Sequence, residues 1–259
     1  MKSNKEWLEE FQKEINEGYE RNRMDRVLAR NAQQENKAPK KLPMFDEPIR
    51  AYGIPPGGKL PPPVALKLRD VEPKNCGFFC DLKDWAYDPQ QYYMSSLMIR
   101  LGEILAEREY FWIVKSLLEN AGHMLKIETK GELTKADVLR AREKIGEWEL
   151  FADTLVMPRE HVLKLWKEKQ LWEAHRIQTG YVPEEQRGPH FWGWLDGFNV
   201  YSARFLKNEA VLFNRAEIIV RNTPQVVSFD DIDRPQKLII EKRCSSAPII
   251  DLAVAKIEL

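Results

Sequence analysis

Apolar residues recur at spacings of three to four near the start of the chain. Trp7, Leu8, Phe11, Ile15 and Tyr19 form one stripe, with Glu and Lys or Arg on the other faces. This predicts a helix within a charged segment, residues 1–41. The stripe must dock on the rest of the fold or on a neighbour. A longer helical pattern opens at Asp88-Pro89, an N-cap followed by proline in the first turn. It carries Leu97, Leu101, Ile104, Leu105, Phe111, Trp112 and Leu118 and stops near Gly122. About 30 residues would make a rod of roughly 45 Å, long for a domain of this size. Thr134 with Asp137 reads as a capping box opening a helix to about Leu150. Pro158 opens another to about Trp172, with Val162, Leu165 and Trp166 at helical spacing.

Strands are predicted from short apolar runs at 124–127, 154–157, 192–202, 210–213 and 217–221. Val226, Val227 and Phe229, then Leu238 to Ile240, then Ile249-Ile250 and Leu252 to Val254 add two or three more. The mixture is α+β. Between the first two helices the pattern breaks. Pro39, Pro43, Pro48, Pro55, Pro56, Pro61, Pro62, Pro63 and Pro73 exclude helix and central strand. Met44, Phe45, Ile49, Tyr52, Ile54 and Leu60 interleave with them, too apolar a mixture for a simple linker. The reading is an extended arm over residues 42–84 that orders on a partner subunit. Deleting residues 1–75 is then expected to leave a soluble protein that cannot assemble.

Composition adds bounds. The chain has 259 residues, 43% hydrophobic and 31% charged, enough for one large domain or two modest ones. Lys plus Arg is 40 and Asp plus Glu is 40, which argues against a protein whose main task is coating nucleic acid. Three cysteines, Cys76, Cys80 and Cys244, make no disulfide framework and read as free thiols of a reducing compartment. The first residues are too charged for a signal peptide, and no apolar run reaches the ~20 residues of a membrane span. Synthesis and folding in the cytoplasm are expected.

Candidate chemistry is sparse. Gly53 to Leu60 resembles a phosphate-binding loop, but Leu60 replaces the required Ser or Thr and Pro61 to Pro63 forbid the helix that must follow. Cys76 and Cys80 lack a second ligand pair for zinc. His123, His161, His175 and His190 are scattered. Asp230, Asp231 and Asp233 lack the Gly and Glu of a calcium loop and read as a solvated turn. No catalytic, cofactor-binding or metal-binding residue is assigned, and no enzymatic activity is expected. Arg21, Arg23, Arg26, Arg30, Lys37, Lys40 and Lys41 form either a basic inner surface or one face of a solvated helix. Trp85, Trp112, Trp192 and Trp194 are anchors of a core or an interface.

The second half has a familiar order of parts. Leu133-Thr-Lys-Ala-Asp-Val-Leu-Arg-Ala-Arg142 precedes Ala152-Asp-Thr-Leu-Val-Met-Pro158. Gly193-Trp-Leu-Asp-Gly-Phe-Asn-Val-Tyr-Ser-Ala203 and Glu209-Ala-Val-Leu-Phe-Asn214 follow, and Ala247 to Ile257 closes the chain. Residues 85–259 thereby resemble tailed-virus major capsid proteins and encapsulins, the Hong Kong 97-like fold. The resemblance implies an N-terminal helical arm (1–41) and an extended proline-rich arm or loop (42–84). It also implies a spine helix with a peripheral domain (85–126), an axial domain (127–222) and returning peripheral strands (223–259). It implies self-assembly into pentamers and hexamers of an icosahedral head around double-stranded DNA. Packaged DNA, portal or decoration proteins would be partners, with no membrane partner, and the virion would be the location. An encapsulin-type compartment around enzyme cargo is the alternative.

Overall fold

A computed structural model describes residues 3–45, 66–81, 92–128, 133–148, 150–167 and 189–259. Helix α1 (Asn4–Asn22) starts at a capping box in which Ser3 and Glu6 satisfy each other's backbone N–H groups. A one-turn helix α2 (Asp25–Leu28), strand β1 (Asn31–Gln34) and strand β2 (Lys41–Met44) follow. The helical character expected over residues 1–41 therefore ends by Leu28. Beyond it the chain is extended, and β1 joins a sheet instead of continuing a charged helix. Strands β3 (Lys67–Asp70), β4 (Lys74–Asn75) and β5 (Phe78–Asp81) come next.

The spine helix α3 runs Tyr92–Glu119, about 42 Å at 1.5 Å per residue. Its expected start at Asp88-Pro89 lies outside the described residues. Strand β6 (His123–Lys126) precedes α4 (Lys135–Gly146), which opens on the Thr134–Asp137 capping box as the sequence predicts. Strand β7 (Thr154–Pro158) leads into α5 (Arg159–Lys167). Pro158 closes the strand, pairing with Ala203, and does not open the helix. The predicted end of that helix near Trp172 lies outside the described residues. Strands β8 (Phe191–Leu195), β9 (Phe198–Ala203), β10 (Glu209–Phe213), β11 (Ile218–Asn222), β12 (Val226–Phe229), β13 (Lys237–Glu241), β14 (Arg243–Pro248) and β15 (Val254–Glu258) complete the chain. The last two correct the expectation of strands at 249–250 and 252–254. Residues 251–253 form a 3-10 turn, and the strands flank it.

The largest sheet has the order β6-β15-β10-β7-β9-β8. Its central strands are buried on both faces, and successive residues serve different cores. Val156, Tyr201, Val211 and Phe213 face the core built on α3, with Leu105, Ile113 and Val114. Leu155, Met157, Val200 and Leu212 face a second core under α4 and α5, with Val138, Ala141, Ile145 and Val162. The sheet is thus the middle layer between two sets of helices. Beside it stand a sheet ordered β1-β11-β14-β4, a sheet ordered β12-β13-β5 and the antiparallel pair β2-β3.

Helix α1 docks within the chain, placing Phe11, Ile15 and Tyr19 in the α3 core. The two helices touch through backbone. A Cβ on Gly18 would sit 1.9 Å from the Ile99 carbonyl oxygen, and one on Gly102 would sit 2.0 Å from that of Ile15. Only glycine admits so close a crossing. The contact also revises the expectation for a chain lacking residues 1–75, because the truncation would uncover the apolar face of α3.

Candidate functional site

A buried polar centre forms where the end of α1, α2, α3, β11 and the approach to β14 meet. Glu109 and Asn222 are 1% exposed and Lys242 2%. The Tyr19 hydroxyl donates to Glu109 Oε2. Asn222 Nδ2 donates to Asp25 Oδ2 at 2.8 Å and to Glu109 Oε1 at 2.9 Å. Lys242 Nζ lies 3.7 Å from the same Glu109 oxygen and 4.2 Å from the centre of the Tyr19 ring. Arg23 pairs with Asp25 at 2.6 Å and with Glu20 at 2.7 Å, closing the centre toward solvent.

The environment sets the acidities. Burial pushes the Glu109 carboxyl up, and Lys242 only partly opposes this. Burial also acts against ionised Asp25, but hydrogen bonds from Arg23 and its charge outweigh it and hold that carboxyl below its ordinary value. Burial raises the Tyr19 hydroxyl, so it stays a donor. The centre joins Tyr19 to Lys242, 223 positions apart in the chain, a separation over which no local motif signals it.

Cys76 and Cys244 border this centre. Burial pushes the Cys76 thiol up to about 12, and Cys244 and Cys80 are raised for the same reason. Raised thiols are poor nucleophiles and poor metal ligands. Among the described residues no group of three or more His, Cys, Asp or Glu side chains stands where a metal ion could be held. His123 Nε2 lies 3.1 Å from the Leu252 carbonyl, and His190 stacks on Tyr110 at 5.1 Å. Burial lowers the pKa of both, and of His161. His175 and the Gly53–Leu60 loop lie outside the described residues. Asp230 Oδ1 accepts from the Gln236 and Lys237 amides at 3.0 and 2.9 Å, and Asp231 Oδ1 from the Asp233 amide at 2.9 Å. These carboxylates organise a turn, as expected.

The basic N-terminal residues separate on folding. Arg21, Arg23, Arg30 and Lys41 each face a carboxylate: Glu17, Asp25, Asp153 and Asp70. Arg26, Lys37 and Lys40 are exposed. Trp192 donates to Ser202 Oγ at 2.8 Å, Trp194 packs on Phe191, and Trp112 is covered by Lys74, Arg108 and Lys115. Trp85 lies outside the described residues. The unburied apolar residues were not singled out by periodicity. Phe151 beyond α4 is 77% exposed, Phe79 on edge strand β5 68% and Met124 on edge strand β6 67%. Phe151 borders a groove of about 530 Å³ with Leu139, Arg142, Gly146 and Leu150. Among the described residues, no helix is long and apolar enough to cross a membrane.

Neither a family model nor a curated relative matches the sequence. Solved structures do match. A virus-like particle from Pyrococcus furiosus is 14% identical with a TM-score of 0.60, over 98% of this chain and 100% of that one. The capsid of Cyanophage P-SCSP1u is 12% identical with a TM-score of 0.54, over 89% and 86%. The holo-SrpI encapsulin complex from Synechococcus elongatus PCC 7942 is 11% identical with a TM-score of 0.55, over 88% and 84%. A mixed fold with a spine helix and a doubly covered sheet, matched along nearly its whole length by such shells, identifies the chain as having the Hong Kong 97-like fold.

Proposed function

We propose that the chain is a self-assembling major capsid protein that builds the icosahedral head of a tailed virus around double-stranded DNA. Its partner is first of all itself, in pentamers and hexamers, with DNA on the inner face and portal or decoration proteins as further partners. The virion is its location, after synthesis in the host cytoplasm. The observation that carries the reading is that the fold matches shell subunits over most of both chains, 98% and 100% for the virus-like particle and 89% and 86% for the cyanophage capsid. Fold alone does not fix function, so the surface matters as well. Phe79, Phe151 and Met124 leave large apolar side chains in water on separate elements. That distribution suits several modest contacts per subunit, which a closed shell multiplies.

A compartment around enzyme cargo is the second reading, and one observation favours it. Four of the seven N-terminal basic residues face carboxylates within the chain, which reduces the charge left to neutralise phosphates. Negative-stain imaging of the purified protein tests assembly. Closed particles hundreds of ångströms across are expected, and a monomer or dimer at every concentration would refute shell formation. Nuclease-protected DNA within the particles supports the capsid, whereas a copurified enzyme without nucleic acid supports the compartment.

A further inference from the structure

Helix α4 turns one face to the sheet and leaves the other uncovered. Val138, Ala141 and Ile145 are buried in the core it shares with the sheet. Arg142, Glu143 and Gly146 follow Leu139 at spacings of three, four and seven, so the four residues make one stripe. With Leu150 and Phe151 they line a groove of about 530 Å³. Phe151 is 77% exposed, and Arg142 and Glu143 are exposed as well. The groove is thus an apolar trough with one cation and one anion at its middle.

Two features of this stripe are not accounted for inside the subunit. The first is its charge. Helix α4 carries six charged side chains. Lys135 pairs with Asp196, Asp137 with Arg140, and Lys144 with Glu147. Arg142 and Glu143 are the two that form no ion pair among the described residues, and Arg142 lies over the Phe198 ring, 5.5 Å from its centre. The second feature is Gly146. Its φ is outside the left-handed region that favours glycine, and a Cβ built on it meets nothing within 4 Å. Glycine in a helix costs stability relative to alanine. Nothing within the subunit calls for a missing side chain there.

We propose that this stripe pairs with the same stripe of a second copy of the chain, the two α4 helices running antiparallel about a two-fold axis. In a two-fold contact, if one residue meets another, the second meets the first in return. Arg142 opposite Glu143 of the second copy therefore gives two ion pairs in one register. The same register sets Leu139 opposite Gly146 of the second copy, because Leu139 precedes Arg142 by the three positions that separate Glu143 from Gly146. Each leucine then fills the space over a glycine, at both ends of the contact. Leu150 and Phe151 wall the trough beside it. A parallel pairing would set Arg142 against Arg142 and Glu143 against Glu143, which repels. Exposed ion pairs add little affinity, so the charges choose the register and the apolar fit supplies the hold. The pairing does not rest on the shell reading, because a lone subunit carries the whole stripe. It makes a dimer the unit present in concentrated solution.

Cysteine cross-linking tests the pairing on the full-length chain. Leu139→Cys and Gly146→Cys are coexpressed, oxidised and run on a non-reducing denaturing gel, which reads the contact whether or not particles form. A covalent dimer is expected from the coexpressed pair, with one linked peptide joining positions 139 and 146. Each variant alone should give little, because like positions then stand two helical turns apart. Wild type, with Cys76, Cys80 and Cys244 in place, supplies the baseline. Arg142→Glu in both chains of the pair should remove most of the dimer by facing like charges. Glu143→Arg added to both should restore it. All variants should unfold at the wild-type temperature, since these four side chains lie outside both cores. No dimer above baseline from the coexpressed pair would overturn the proposal, as would equal dimer from each variant alone. A dimer indifferent to Arg142→Glu would overturn it as well, since the charges would then set no register.

Discussion

At the scale of single residues, the docking of α1 on α3 rests on two hydrogen atoms. Gly18 and Gly102 each face a carbonyl oxygen of the opposite helix where a methyl group cannot fit. Gly102→Ala must separate the helices along their contact. Overpacking of this kind typically costs about 1–3 kcal/mol and more where backbone must move. The upper end is expected, read as a lower midpoint of urea unfolding at unchanged slope. A control exists in Gly146, where an added Cβ meets nothing within 4 Å, so Gly146→Ala should be neutral or slightly stabilising. Asp25 supplies a pH signature. Its folded pKa lies below the ordinary 3.8, so the stability it contributes is present above that value. This contribution is lost as pH falls through the folded pKa. Asp25→Asn should therefore lower the melting temperature at neutral pH, and the gap to wild type should close in strong acid. A constant gap down to the most acidic conditions would mean that the Arg23 pairing contributes nothing.

At the scale of elements, what is legible in the sequence follows the range of the interaction that makes it. Helices α3 and α4 carry their signals locally, in apolar periodicity and, for α4, in the Thr134–Asp137 cap. Strand β14 was not legible. Arg243-Cys-Ser-Ser-Ala-Pro248 has no apolar alternation, and it is a strand because β11 and β4 hold its edges. The same limit hid the buried polar centre, whose members meet only after four elements pack. The tight turn between β8 and β9 was written in the chain as Asp196-Gly197, both at positive φ, a dipeptide suited to two-residue hairpins. The β2-β3 pair offers an element-level experiment. Met44 pairs with Lys67, so the ladder frames the intervening segment as a replaceable unit. Exchanging residues 46–65 for a short Asn-Gly loop should leave the thermal unfolding of the subunit within a few degrees of wild type. Under the arm reading it should abolish particles. Particles of unchanged size by electron microscopy would assign that segment no part in assembly.

At the scale of the whole molecule, two cores share one sheet, and under the proposed shell reading assembly would use what those cores leave outside. Phe151 and Phe79 are the most exposed aromatic side chains among the described residues, and both stand away from the buried polar centre. A charge placed on an exposed side chain away from packing contacts changes subunit stability within about 0.5 kcal/mol. Placed in a contact between subunits, it is desolvated at every copy of that contact, each burial costing several kcal/mol before relaxation. In a closed shell, symmetry would repeat the penalty at every copy, so under the proposed reading one substitution would act as an all-or-none block. Phe151→Asp and Phe79→Asp are therefore expected to unfold at the wild-type temperature yet remain small by light scattering. The two variants also separate the surfaces. If Phe151→Asp gives free subunits while Phe79→Asp still gives particles, the contact made beyond α4 nucleates the shell and the β5 edge only decorates it. Wild-type particle yield from both variants would place neither phenylalanine at a contact and leave closure to the strand edges and the segment framed by β2 and β3.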